Sequence, residues 1–339
     1  QMCIRDSQQK YLEHYLPVLE NTPYVCGGTH WNFIDFCSAL RDESMPRINN
    51  KGLVYADRTP KDIYYYYQAA WRKDIPVLHI ASRDWTYRSG VQQGNAPVLL
   101  PVKVYSNLPE VELFIDGKSI GKQQTKNYTV TFEVPFCSRK PFLLAQGNHQ
   151  GIRVQDGLKV NFHPVPARLD ATNLKNLELA INVGSRCFFT SDESQLTWLP
   201  DQPYTPGSWG YIGGEERGTE TEIRNTADGP LFQTLRNGIE GYRFDVPKGV
   251  YEIEFLFTDI FRQNSSAAYL LGRDGAHENR ESTFGISING STVEESLSPC
   301  KESGYFHALR KKYIVNNEAD SLEIRFHTIS GKCFLNGIK

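Results

Sequence analysis

The stretch Gly27-Gly28-Thr29-His30-Trp31-Asn32-Phe33-Ile34-Asp35-Phe36 decides the fold of the first part of the chain. Residues 24–28, at its start, combine aromatic, β-branched and small side chains, which predicts a short buried strand. The polar and aromatic residues 29–33 then lie at the carboxyl end of that strand.

Two helices are predicted on either side of this stretch. An apolar spacing of i, i+4, i+7 and i+8 before it predicts an amphipathic helix that ends ahead of the turn at residues 21–23. The apolar residues of this helix are Tyr11, Tyr15, Val18 and Leu19. After the stretch, Pro60 stands at a favourable first position of a second helix. Its predicted core residues are Ile63, Tyr64, Tyr67, Ala70 and Trp71.

The order helix, strand, loop, helix is typical of the closing edge of an α/β barrel. About sixty residues with one strand are too few to bury a core of their own. We therefore expect this segment to belong to a larger domain.

Composition limits the possible function classes. With 339 residues, two to three domains are expected, and 40% hydrophobic residues suffice for buried cores. A net charge of −2 without charged blocks argues against nucleic-acid binding. No apolar run is long enough to span a membrane. The seven cysteines form no Cys-x-x-Cys pair, so we expect mostly buried thiols, with one disulfide possible, and neither a metal site nor a cofactor.

Short strands dominate the rest of the chain. In residues 73–165 their spacing, together with a hairpin signal at Asp116-Gly117, predicts an immunoglobulin-like sandwich. In residues 166–339 the pattern predicts a second sandwich or jelly roll, with hairpins near residues 247–249 and 289–290. The predicted strands are 76–80, 102–105, 111–115, 130–134, 178–183, 242–246, 251–257, 284–289, 313–315, 322–327 and 333–335.

Three motifs in order carry a resemblance to a known family. Residues 27–36, residues 50–54 (Asn-Lys-Gly-Leu-Val) and residues 57–62 (Asp-Arg-Thr-Pro-Lys-Asp) resemble the end of a glycoside hydrolase family 2 catalytic barrel. The resemblance implies that residues 8–72 are the eighth strand, its loop and the last helix of a (β/α)8 barrel. Residues 1–7 fit no part of this pattern and are possibly foreign.

The two sandwiches carry resemblances of their own. Residues 106–114 and 117–121 resemble the immunoglobulin-like domain that follows the barrel in such enzymes, which assigns it residues 73–165. Residues 180–184, 232–236 and 334–337 resemble a malectin-like carbohydrate-binding domain, which assigns it residues 166–339. The expected fold class is mainly β, a TIM-barrel remnant followed by two β-sandwiches.

The resemblance implies a retaining, exo-acting glycosidase whose two catalytic glutamates lie upstream of this chain. Retaining enzymes need two carboxyl groups about 5 Å apart, and no motif pairs Asp35 or Glu43 with a second carboxylate. We therefore expect no catalytic residue here, an inactive chain in isolation, and Asp35 as a hydrogen-bonding residue. The expected partners are a carbohydrate substrate, in oligo- or polysaccharides, and the upstream part of the same enzyme. The family suggests a periplasmic or secreted location.

Five residues are candidates for substrate binding. Trp31 falls at the carboxyl end of the predicted strand, where barrel active sites lie, and the family's matching Trp lines the sugar subsite; the alternative is a core tryptophan. His30 and Asn32 are its neighbours. Asn49 and Lys51 form an Asn-x-Lys loop that resembles the motif with which β-glucuronidases hold the sugar carboxylate, although Lys51 could instead pair with a nearby acid.

The domain arrangement favours β-galactosidase as the parent activity, with β-glucuronidase as the alternative. In some β-galactosidases an Asn that helps to bind sodium matches Lys51, which puts such a sodium site in doubt here. Two other classes are a stand-alone, non-catalytic carbohydrate-binding protein and a structural or adhesive β-sandwich protein. The barrel motifs argue against both, because a binding module has no use for a barrel edge.

The malectin-like region offers a second possible sugar site. Its aromatic residues could stack on sugar rings, or they could hold a Pro- and Gly-rich loop against the sandwich. Where malectin has a ligand-binding Tyr after its Gln-Thr-x-Arg run, this chain has Asn237. The candidate residues are Trp198, Tyr204, Trp209, Tyr211 and Phe261.

Overall fold

The computed structural model describes residues 2–39, 47–170, 178–192, 194–261 and 281–339, except for the side chains of residues 2–6. The structure is mainly β. Its internal contacts divide the described residues into two units, and the boundary between them in the sequence lies between Val165 and Pro166. No helix among the described residues is long and apolar enough to cross a membrane.

The described residues of the first unit form two helices and eleven strands. The helices are α1 (Met2–Glu20) and α2 (Asp62–Trp71). The strands are β1 (Phe36–Cys37), β2 (Ile48–Asn49), β3 (Leu78–Ile80), β4 (Tyr87–Gln92), β5 (Val98–Ser106), β6 (Glu110–Ile115), β7 (Lys118–Gln124), β8 (Thr129–Phe136), β9 (Phe142–His149), β10 (Ile152–Lys159) and β11 (Asn161–Pro166).

Helix α1 ends where the sequence predicts but buries a different face. Leu12 and Leu16 are buried in a core shared with α2, whereas Tyr11 is 59% exposed. The predicted apolar stripe, Tyr11, Tyr15, Val18 and Leu19, is exposed throughout. The prediction of the buried face is therefore wrong. Both stripes have helical spacing, and only contacts with α2 distinguish them.

Residues 24–28 do not form the predicted buried strand. They have no strand pairing; Tyr24 lies in a turn, and its side chain is 90% exposed. A strand requires a neighbour to accept and donate its backbone hydrogen bonds, and no described segment pairs with these residues.

Helix α2 begins two residues later than predicted. Lys61 is its N-cap, so Pro60 precedes the cap instead of occupying the first turn. Ile63, Tyr67 and Ala70 are buried as expected, but Trp71 is 57% exposed. Tyr66, which the sequence analysis did not select, is fully buried.

Strands of the first unit also form a two-sheet sandwich. One sheet has the order β3-β5-β8 and the other β10-β9-β6-β7. Their inward-facing residues, among them Val104, Leu113 and Phe132, form one buried core. Strands β6 and β7 are joined at Asp116 and Gly117, both with positive φ, as the hairpin signal predicted.

The second unit is a larger two-sheet sandwich, with the sheet orders β13-β14-β12-β23-β17-β20 and β15-β16-β21-β18-β19, and with β22 paired to β16. The strands are β12 (Ile181–Asn182), β13 (Phe189–Thr190), β14 (Thr197–Pro200), β15 (Trp209–Gly218), β16 (Thr234–Phe244), β17 (Gly249–Phe257), β18 (Thr283–Ile288), β19 (Ser291–Leu297), β20 (Leu309–Asn317), β21 (Leu322–Ser330), β22 (Phe334–Leu335) and β23 (Gly337–Ile338). The helices are α3 (Gly229–Phe232) and α4 (Pro299–Glu302).

The cysteines differ from the expectation of mostly buried thiols. Of the described free cysteines, Cys26, Cys37 and Cys137 are exposed, Cys300 is half-buried and Cys333 is buried. Cys187 is disulfide-bonded, so the bridge that the sequence left open is present.

Candidate functional site

The candidate site is built on a loop at residues 49–52 that packs against the segment after Trp31. Strands β1 and β2 pair antiparallel, with Phe36 opposite Asn49. Ile34 bridges Val54 in the parallel direction, and the Asp35 amide donates to the Val54 carbonyl at 3.1 Å. The segment after Trp31 and the loop at residues 49–52 are therefore adjacent in space.

Side chains, not backbone pairing, hold the loop around Lys51. The Asn49 Oδ1 accepts the Lys51 amide at 3.3 Å. The Lys51 carbonyl accepts from Gln8 Nε2 at 3.1 Å and lies 3.1 Å from His30 Nε2. Gln8 also donates to the Gly52 carbonyl. These contacts fix the backbone of Lys51. None of them involves its ammonium group.

A buried ion pair lies beneath the same loop. The Lys61 ammonium is 2.8 Å from Asp35 Oδ1 and donates to the Asn50 carbonyl at 2.9 Å. The same Asp35 oxygen accepts the Gly52 amide at 2.8 Å. Asp35 is thus a hydrogen-bonding residue, as expected, and its carboxylate is engaged by the fold.

Gly52 is required by this close approach. A Cβ at this position would lie 2.4 Å from the Asp35 nitrogen and 2.6 Å from the Val54 carbonyl oxygen. Any larger residue would therefore push the loop away from Asp35. This steric limit explains the glycine of the Asn-Lys-Gly motif.

Trp31 is an exposed ring beside the loop. It is 70% exposed and contacts Phe36 edge-to-face, with the ring centroids 6.3 Å apart. The peptide bond between Trp31 and Asn32 is cis. An exposed indole offers a flat apolar face to a sugar ring, so the alternative of a core tryptophan does not hold for the described structure.

Asn32 and His30 point to the interior, in different ways. Asn32 is 8% exposed, and its amide group donates to the Ile34 carbonyl. Its buried Oδ1 has no hydrogen-bond partner among the described residues. His30 is half-buried with its ring 5.7 Å from that of Tyr67. Burial, with a smaller contribution from the Lys61 charge, lowers the pKa of His30.

Lys51 is the cation that this site offers to a ligand. Its side chain is exposed, and no described carboxylate lies within ion-pair distance of its ammonium group. Pairing with a nearby acid, the alternative from the sequence, is therefore not observed among the described residues. A compact ammonium on the loop and an exposed indole on the adjoining segment are groups that can bind an anionic sugar.

Two residues of this arrangement, Gln8 and Lys61, were not among the predicted site residues. Gln8 and Lys61 contact the loop from positions 43 and 11 residues away from their partners. Lys61 lies in the motif at residues 57–62, but the motif does not show that its side chain contacts the loop, and Gln8 lies in no motif. Glu43, named with Asp35 as a possible carboxylate, lies outside the described residues.

In the second unit, two of the five candidate aromatic residues are core residues. Trp198 is 3% exposed and Trp209 is fully buried. Each belongs to a strand, β14 or β15, and its ring packs between the sheets. Neither ring can stack on a sugar, so these two predictions are wrong.

The other three aromatic residues are half-buried. The Tyr204 hydroxyl donates to Asp245 at 2.8 Å. One face of Tyr211 is covered by the Arg236 guanidinium, 3.3 Å from the ring centroid. Phe261 contacts Phe334 edge-to-face. Tyr204 and Tyr211 thus have structural partners, which favours the loop-holding alternative for them, while a sugar contact remains a prediction for all three.

Arg236 belongs to a buried network. Its Nε is 2.9 Å from Asp201 Oδ2, which also accepts the Gly184 amide. Asp201 Oδ1 accepts from the Tyr242 hydroxyl at 2.9 Å. Burial raises the pKa of Asp201, although these hydrogen bonds oppose the shift. These contacts all join residues of the second unit, so the network has a structural role.

No group of three or more His, Cys, Asp or Glu side chains within the described ranges could hold a metal ion. Among the groups that the described residues bring to the site are the exposed Lys51 side chain and the exposed Trp31 ring.

Two family models match the chain. The malectin domain matches residues 177–338, and a domain of unknown function, DUF4982, matches residues 98–138. The second unit is thus a malectin-like domain, and the DUF4982 match lies on strands β5 to β8.

The relatives are glycoside hydrolases. A structure of Bacteroides uniformis β-glucuronidase 2, covalently bound to cyclophellitol-6-carboxylate aziridine, is 76% identical over 98% of this chain, with a TM-score of 0.91. A β-glucuronidase of Bacteroides fragilis is 36% identical over 114 residues, 33% of this chain and 15% of that protein. A β-galactosidase of Bacteroides ovatus, BoGH2A, is 29% identical over 128 residues, 37% of this chain and 14% of that protein. The chain spans 38% of the solved B. uniformis protein.

Proposed function

We propose that this chain is the C-terminal part of a retaining, exo-acting β-glucuronidase of glycoside hydrolase family 2. In this proposal residues 8–72 close the catalytic barrel, residues 73–165 form an immunoglobulin-like domain, and the catalytic glutamates lie upstream. The observation that carries the proposal is the exposed Lys51 side chain, which lies on the loop that packs against the segment after Trp31 and has no described carboxylate within ion-pair distance.

The preference for β-galactosidase that the domain arrangement suggested is replaced by its alternative. The 76% identical relative is a β-glucuronidase, whereas the β-galactosidase relative is 29% identical over 37% of this chain. The ligand of the first relative carries a carboxylate at the sugar C6 position. A lysine that needs an anionic partner is consistent with such a substrate.

The proposed roles divide between binding and chemistry. Lys51 binds the C6 carboxylate, since a charge-assisted hydrogen bond to an ammonium group is among the stronger polar contacts. Trp31 stacks on the apolar face of the sugar, while Asn49 and His30 hold the Lys51 backbone. Asn32 is buried and supports the segment after Trp31 through its hydrogen bond to the Ile34 carbonyl. The upstream glutamates would act as acid/base and nucleophile.

The exposed apolar residues of the first unit support the barrel-edge part of the proposal. Tyr24 and the outer face of α1 are exposed, and no described strand pairs with residues 24–28. A barrel strand that lacks its neighbours would leave such groups exposed. The periplasmic or secreted location remains a proposal.

The test uses the full-length protein, with the residues upstream of this chain present. We expect kcat/KM for 4-nitrophenyl β-glucuronide to exceed that for the β-galactoside and for the β-glucoside, which differs from the glucuronide at C6. Lys51→Ala should lower kcat/KM for the glucuronide about 10- to 100-fold, since a hydrogen bond to a charged group contributes about 1.5–3 kcal/mol.

The matched control is Lys126→Ala, which removes another exposed ammonium of the same unit. It should leave the three rates unchanged. A full-length enzyme that prefers the galactoside, or a Lys51→Ala variant that loses activity equally on all three substrates, would contradict the proposal.

A further inference from the structure

The chain neighbours of Lys51 are both tied to one buried ion pair. The Lys61 ammonium donates to the Asn50 carbonyl at 2.9 Å, and Asp35 Oδ1 accepts the Gly52 amide at 2.8 Å. The two side chains are joined to each other at 2.8 Å. The residue before Lys51 and the residue after it are therefore fixed to the same pair.

Both members of the pair are removed from water. The side chains of Lys61 and Asp35 are 7% and 4% exposed. Burying two charges carries a desolvation cost that their attraction only partly repays, and apolar side chains of similar size often stabilise a fold as well. Stability alone is thus a weak reason for an ion pair at this position.

Hydrogen-bond direction is what an apolar pair could not supply. The ammonium group of Lys61 and the carboxylate of Asp35 each hold one backbone group of the loop, and Gly52 lets the loop approach Asp35 closely enough for this contact. A flexible lysine binds a ligand with less loss of entropy when its backbone is already fixed.

From this geometry we infer that Asp35 and Lys61 are a positioning pair for Lys51 and thereby set the preference of the site for a sugar that carries a carboxylate. The inference rests on the proposed function. Neither residue touches the sugar; the pair fixes where the Lys51 ammonium stands. Loss of the pair therefore weakens binding of the anionic sugar and leaves the recognition of a neutral sugar by Trp31 in place.

The test compares variants of the full-length protein on 4-nitrophenyl β-glucuronide and β-glucoside. The variants are Lys61→Met, which keeps an unbranched chain, and the double variant Asp35→Asn with Lys61→Met. The double variant leaves no unpaired buried carboxylate and keeps an amide oxygen for the Gly52 amide, so it folds if the single variant does not. The measured quantity is the ratio of the two kcat/KM values.

We expect the glucuronide-to-glucoside ratio to fall about tenfold or more in both variants, mainly through a higher KM for the glucuronide, as the loss of one positioned charge contact implies. Arg236→Met is the matched control, because it removes a comparably buried ion pair, Arg236–Asp201, in the second unit. It should leave the ratio unchanged even if it lowers the melting temperature.

Lys51→Ala separates the two claims. If it lowers the ratio while the folded Asp35→Asn, Lys61→Met variant keeps the ratio of the unaltered enzyme, the positioning role is overturned and the proposed function stands. If Lys51→Ala itself leaves the ratio unchanged, Lys51 does not read the carboxylate, and the proposed function loses its main support together with this inference.

Discussion

His30 illustrates how a single residue supports the site without being its ligand-binding group. Its Nε2 lies 3.1 Å from the Lys51 carbonyl, and its ring packs near Tyr67. Burial lowers its pKa from the ordinary value of 6.5, the Lys61 charge lowers it further, and the hydrogen bond to Lys51 opposes both effects. The folded protein thus favours the neutral ring.

This lowered pKa predicts a pH dependence of stability. Between the folded and the unfolded pKa of His30 the unfolded chain binds more protons, so the stability contributed by the neutral ring is present above pH 6.5 and is lost as the pH falls through the folded pKa. His30→Gln offers an amide donor to the same carbonyl and does not titrate. We expect its melting temperature to fall less than that of the unaltered protein between pH 7.5 and pH 5, buffers on either side of that value.

The control is His14→Gln, which replaces an exposed imidazole on α1. Melting curves of the three proteins at matched ionic strength provide the measurement. If the melting temperatures of the unaltered protein and of His30→Gln fall by the same amount between pH 7.5 and pH 5, His30 is not the source of the pH dependence of stability.

At this scale the sequence predicted the residues that lie within short motifs. Trp31, Asn49 and Lys51 belong to such motifs, and the structure brings them to one loop and its neighbour. Lys61 also lies in a motif, residues 57–62, but its contact with the loop, like that of Gln8, depends on how distant segments pack, which no local pattern records.

At the scale of elements, strand β15 shows why the aromatic residues of the second unit were misread. The region around Trp209 is rich in Gly and Pro, which resembles a loop, yet Trp209–Gly218 pairs with β16 along its length. A register shift between Ile212 and Gly213 interrupts the alternation that would have marked a strand. Trp209 therefore looks exposed in the sequence and is buried in the sheet.

Strand β16 also contributes Arg236 to a buried ion pair with Asp201, which follows β14, and the energetic role of this pair can be tested. Arg236 on β16 and Asp201 have side chains only 4% and 2% exposed. Removing one partner leaves a buried charge without compensation, which typically costs about 3–5 kcal/mol. We expect Arg236→Met to destabilise the protein by this amount, and the added change Asp201→Asn to recover part of the loss.

Urea denaturation of the chain, followed by circular dichroism, measures these differences. Lys301→Met is the comparison, because it breaks an exposed pair with Glu281 and should cost about 1 kcal/mol or less. Equal losses for Arg236→Met and Lys301→Met would show that the buried network is not a stability determinant.

For the whole molecule, the prediction of mainly β structure is confirmed because the patterns that indicate strands and hairpins are local. Period-2 alternation in β5 and β8 and the turn at Asn289 and Gly290 follow from side-chain and backbone preferences within a few residues. The face that α1 buries and the state of residues 24–28 depend instead on distant partners. The parts that the sequence mispredicted are those that need a neighbour to decide them.

The missing neighbour of residues 24–28 gives the last prediction. Within the described chain, the Val25 amide donates to the Thr22 carbonyl, and no strand pairs with the segment. If these residues are a barrel strand, the upstream strands of the full-length protein supply partners on both sides and cover Tyr24. Amide exchange at residues 26–28 should then be fast in this chain alone and roughly 100-fold or more slower in the full-length protein, which corresponds to a local opening free energy of about 3 kcal/mol. Peptide-resolved hydrogen exchange measures both proteins, with β6 as the internal reference because its pairing with β7 and β9 lies within this chain. Equally fast exchange of residues 26–28 in the two proteins, with β6 protected in both, would mean that the segment is a surface loop and that the chain does not close a barrel.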